Sequence, residues 1–84
     1  MKKENVRVTV RFDLPCVADG YSRRDLYAMQ DAILARTGAD LRIIWRITNR
    51  MNALSAEATA EDVRRLQDQP GVISVTAETE HGLN

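Results

Sequence analysis

LRIIWRITNRMNALSAEA, residues 41 to 58, decides the fold. Leu41, Ile43, Trp45 and Ile47 recur at every second position, with Arg42, Ile44, Arg46 and Thr48 between them. That is the period of a half-buried strand. From about Met51 the pattern resumes: Leu54, Ala56 and Ala58 share one side, and Ala53, Ser55 and Glu57 the other. Asn49 and Arg50 join the two runs. A parallel crossover takes roughly a dozen residues or more, so this link makes an antiparallel hairpin.

Each side of the hairpin extends through a helix to a further strand. Upstream, VRVTVRF at residues 6 to 12 alternates Val6, Val8, Val10 and Phe12 with Arg7, Thr9 and Arg11. Residues 13 to 21, with Pro15 and Asp19-Gly20, read as a loop. Ser22 is an N-cap candidate, paired with Asp25 in a capping-box-like arrangement. Leu26, Met29, Ile33 and Leu34 follow at helical spacing, and Gly38 is the stop. Downstream, Thr59 caps a second helix with Asp62 at the box position and Val63 and Leu66 as its apolar stripe. Pro70 and Gly71 end it, and a last strand runs from Val72 to about Ala77, with Ile73 and Val75 turned inward.

The order β-α-β-β-α-β is the ferredoxin-like, α+β arrangement: a four-stranded antiparallel sheet with two helices on one face. The 84 residues make one domain, with 78 to 84 as an extended tail. A hydrophobic fraction of 44% beside 29% charged residues places the chain among globular rather than disordered proteins. The single cysteine, Cys16, excludes an internal disulfide, so packing alone must hold the domain.

The sheet face without helices is the informative surface. It is expected to carry Arg7, Thr9, Arg11, Arg42, Ile44, Arg46, Ala53, Ser55, Ser74 and Thr76. Charge lies at its periphery, and Ala53, Ser55, Ser74 and Thr76 form a small, neutral floor on which another molecule's helices could lie closely. A solvated antiparallel face needs no partner, but long polar side chains would solvate it more readily than small ones.

Twelve basic and twelve acidic residues cancel, which argues against binding to a nucleic-acid backbone or an anionic membrane. RNA-binding versions of this fold stack bases on aromatics of the open face; here Trp45 is assigned to the core side. One Cys and one His, His81, cannot make a zinc site or a plausible triad, and no glycine-rich loop offers a phosphate cradle. An acylphosphatase-like anion loop after the first strand would need a glycine-flanked arginine, absent from DLPCVADGY. No enzyme reading has support, and no catalytic residue, metal or cofactor is expected. The opening Met1-Lys2-Lys3 has no apolar stretch behind it and reads as no signal peptide, which implies a cytoplasmic chain as written.

The run from Met51 to Val75 resembles the subtilisin propeptide family, which includes stand-alone inhibitors. The likeness lies in the small-residue strand from Asn52 to Ala56, the Thr59-capped helix with Val63 and Leu66, then Pro70-Gly71-Val72, a strand to Val75 and acidic residues beyond. It covers about 25 residues closely and the whole chain in element order. The resemblance implies an inhibitor, and folding chaperone, of a subtilisin-like serine protease. The bare face (Ala53, Ser55, Ser74) would pack on two protease helices, and Thr76 and Glu78 would cap their N-termini. Glu80, His81, Gly82, Leu83 and Asn84 would enter the active-site cleft as a product does. Asn84 would fill the primary specificity pocket, Leu83 the next and His81 the fourth from the end. The free chain would be a monomer, and extracellular if excised from a precursor. The alternative, from another class, is a regulatory ferredoxin-like domain that dimerises through the bare face and binds a small ligand.

Overall fold

The computed structural model describes residues 5 to 78. The elements are β1 (Val6–Phe12), α1 (Arg23–Thr37), β2 (Arg42–Ile47), β3 (Ala53–Ala58), α2 (Ala60–Gln67) and β4 (Val72–Ala77). A 3-10 turn, Val17–Asp19, lies between β1 and α1. The strands pair in the order β2-β3-β1-β4, and every pairing is antiparallel. This is the ferredoxin-like arrangement that the hairpin implied.

Local chemistry sets the helix ends. The Ser22 hydroxyl accepts from the Asp25 N–H at 3.2 Å and opens α1. At α2 the capping box closes in both directions: Thr59 Oγ1 accepts from the Asp62 N–H, and Asp62 Oδ2 accepts from the Thr59 N–H, each at 3.2 Å. Gly71 sits at φ +94, and a Cβ built there would meet Ile33 Cδ1 at 3.0 Å. The turn from α2 into β4 therefore favours glycine for its conformation, and any side chain there would also press on Ile33.

One core joins sheet and helices. Val8, Val10 and Phe12 of β1 and Leu54, Ala56 and Ala58 of β3 are buried with Ile33 of α1 and Leu66 of α2. Both helices contribute to this cluster, so both cover the same face of the sheet.

Two bulges change which side chains face which way. Ile43 pairs with Ala56, and the next pair is Trp45 with Ser55, so Ile44 and Trp45 together occupy the place opposite Ser55. The extra residue reverses the alternation that follows. Trp45 and Ile47, expected inside, align with Ser55 and Ala53 on the open face, and Trp45 is 60% exposed. Arg46, expected on the open face, goes to the helix side opposite Leu54. In β4 the pairing steps from Phe12–Val72 to Arg11–Ser74, which leaves Ile73 over. Ile73 is exposed rather than inward, while Val75 packs against the core as expected.

Arg46 is accommodated beneath the helix by a polar network. It donates from Nη1 to the Tyr27 carbonyl at 3.2 Å and to Gln30 Oε1 at 3.3 Å, and its Nη2 lies 2.8 Å from Asp31 Oδ1. Its guanidinium also stands 5.1 Å from the Tyr27 ring centroid. The fully buried Gln30 donates to Asn52 Oδ1 at 2.8 Å and to the Ala53 carbonyl at 3.1 Å. Asn52 donates to the Pro15 carbonyl at 2.8 Å, which ties the loop after β1 to the hairpin. A glutamine thus occupies part of the α1 stripe that the apolar spacing gave to leucine and methionine. In the same loop Cys16 is buried, and its thiol stands 3.4 Å from Asp19 Oδ2.

Candidate functional site

The strand registers arrange the open face as a grid of three rows across β2, β3, β1 and β4. The first row is Arg42, Glu57 and Arg7, with Glu78 joining it as its N–H donates to the Arg7 carbonyl at 2.8 Å. The second is Trp45, Ser55, Thr9 and Thr76. The third is Ile47, Ala53, Arg11 and Ser74.

Each row has its own chemistry. Charges alternate along the first, and Arg42 Nη1 lies 3.6 Å from Glu57 Oε1. Pairs this exposed add little stability. In the second and third rows an apolar corner, Trp45 and Ile47, adjoins the floor residues Ser55 and Ala53, which are 2% and 0% exposed. Hydroxyl groups continue the surface through Thr9, Thr76 and Ser74.

Glu78 is the carboxylate of this face that hydroxyl groups hold. Its Oε2 accepts from Thr9 Oγ1 at 2.7 Å and from Ser55 Oγ at 2.9 Å, so a residue just past β4 reaches over β1 to β3. The Thr9 bond first, then the Ser55 bond and the Arg7 charge, hold its carboxyl below the usual value against a smaller opposing effect of burial.

The expected docking residues Ala53, Ser55 and Ser74 lie on this one face, beside Thr76 and Glu78. Ala53 and Ser55 are buried within it, so they form its floor rather than its contact points. Glu80, His81, Gly82, Leu83 and Asn84 lie outside the described residues. The sequence reading missed Trp45, Ile47 and the part played by Thr9. One available signal was Ile44, an isoleucine in the position of a solvated arginine row, as a bulge at that point would produce.

Trp45 on the open face removes one argument against RNA stacking, but it stands on an edge strand. The central strands present Thr9 and Ser55 there, without a stacking platform. A separate polar depression of about 590 Å³ lies around Asp40, Arg42, Glu57, Asp62 and Arg65. Its most buried acid, Asp62, is engaged by the Thr59 hydroxyl and N–H. Among the described residues no group of His, Cys, Asp and Glu is placed to hold a metal ion, and no helix is long and apolar enough to cross a membrane.

No family model matches the chain, and no curated protein or solved structure matches it either.

Proposed function

We propose that this chain inhibits a subtilisin-like serine protease, docking by its open sheet face and placing its C-terminal residues in the active-site cleft. The observation that carries the reading is the Glu78 carboxylate, fixed by Thr9 and Ser55 at the margin of a buried small-residue floor. A carboxylate there suits the N–H groups and positive dipole at a helix N-terminus, an interaction worth about 0.3–2 kcal/mol. Above the buried Ala53 and Ser55, the exposed surface that a helix would meet is Ser74 and Thr76 with the half-buried Thr9, and Trp45 on the same face offers the large amphipathic contact typical of interface anchors.

From Glu78 the chain continues into Glu80, His81, Gly82, Leu83 and Asn84, which as an added strand would gain main-chain hydrogen bonds in the cleft. A partner that binds the folded protease in preference to the unfolded one also stabilises it, which gives the chaperone activity the same physical basis. The test is a competitive inhibition assay against a panel of subtilisin-like proteases. Active-site-directed inhibition of at least one is expected, and inhibition of none contradicts the proposal.

A regulatory domain that dimerises through the same face is the second reading, favoured by the 60% exposure of Trp45. Sedimentation of the free chain separates the two: a monomer supports the inhibitor, and a dimer that buries Trp45 supports the regulatory domain.

A further inference from the structure

We infer that Thr9 and Ser55 are positioning residues for Glu78: their hydroxyls hold one carboxylate oxygen so that the other stays presented to backbone N–H groups of the docked partner. The inference rests on the inhibitor reading and adds the device that aims its charged contact.

Three strands converge on this carboxylate. The backbone of Glu78 is fixed on β1 by its bond to the Arg7 carbonyl at 2.8 Å. In the grid Arg7 is its neighbour, yet among the described residues no ion pair joins them. The side chain instead leans one row over, onto Thr9 at 2.7 Å and Ser55 at 2.9 Å. Serine and threonine each have a single hydroxyl proton, and here both are directed at the same Oε2. Among the described residues Oε1 has no hydrogen-bond partner. One oxygen is therefore anchored, and the other keeps its lone pairs for an incoming donor.

The arrangement matters because glutamate is flexible and ordering a flexible side chain on binding weakens association. Two hydroxyls from the central strands do that ordering in the free protein. Ser55 is 2% exposed, so its hydroxyl is itself set by the packing around it. A surface glutamate without these donors would offer the same charge with no preferred direction.

The test uses Thr9→Val with Ser55→Ala, alone and together, each also combined with Glu78→Ala. Titration of the free chain by NMR should show the Glu78 carboxyl moving up towards its ordinary value in the double variant, and an unchanged titration overturns the inference. Against an inhibited protease, the double variant should bind roughly three- to tenfold more weakly. In the Glu78→Ala background the same substitutions should weaken inhibition by clearly less than they do in the parent. Equal losses in both backgrounds overturn the positioning role. If the double variant loses its fold, Thr9→Val alone gives the same comparison. Failure of the inhibitor reading is distinct, since the parent chain would then inhibit no protease, and the inference would fall with it.

Discussion

Trp45 stands opposite Ser55 in the β2–β3 ladder, on the sheet face away from the helices. A large indole and a buried hydroxyl thus share one row, with Thr9 and Thr76 completing it. The relationship exists because Ile44 adds a residue to β2, and it sets a large exposed side chain beside the buried Ser55 and Ala53.

Trp45→Ala should weaken protease inhibition about tenfold or more, as loss of an interface tryptophan commonly does. The residue is 60% exposed, so the melting temperature should move by no more than a few degrees. Parallel inhibition and thermal-melt measurements check this. A large drop in melting temperature with unchanged inhibition would mean that the indole serves the fold.

Ser74→Arg tests the opposite corner of the face. Ser74 is exposed and pairs with Arg11, so the new arginine adds bulk and like charge where a partner would lie. Inhibition should fall at least tenfold while circular dichroism stays that of the parent. Ala53 is less suitable, because at 0% exposure an arginine there would also disturb the hairpin.

Gln30→Leu should destabilise the domain by about 1–3 kcal/mol, since it removes the amide donor to Asn52 Oδ1 and to the Ala53 carbonyl and one acceptor of Arg46. Urea unfolding should show the loss as a lower midpoint. An unchanged midpoint would mean that water replaces the amide at no cost.

The α2 cap gives a pH prediction. Burial alone would raise the Asp62 pKa, but bonds from the Thr59 hydroxyl and N–H, from the Asp40 N–H, and the Arg65 charge together lower it. A carboxyl lowered on folding takes up its proton first in the unfolded state. Its stabilisation is therefore complete above the unfolded value of about 4 and is lost as pH falls through the lower folded value. Stability measured by urea from pH 7 downward should decline in that acid window, and less steeply for Asp62→Asn. Thr59→Ala should cost about 1 kcal/mol at neutral pH.

The sequence made the elements legible because their signals are local. The short Asn49-Arg50 link announced the hairpin, and Ser22 and Thr59 both cap where their spacing to Asp25 and Asp62 suggested. The open face was less legible, because orientation in a strand depends on counting and one added residue inverts the rest. Ile44 moved Trp45 and Ile47 outward and Arg46 inward, and the extra residue in β4 put Ile73 outside. The bonds from Thr9 and Ser55 to Glu78 span 69 and 23 residues, and only the strand order brings those three positions together.

The central claim is tested most directly by comparing the full chain with a chain ending at Glu80, assayed side by side against an inhibited subtilisin-like protease. The account predicts at least tenfold weaker inhibition after loss of His81 to Asn84, equivalent to about 1.4 kcal/mol or more, with the melting temperature almost unchanged. Equal inhibition by the shortened chain would contradict it.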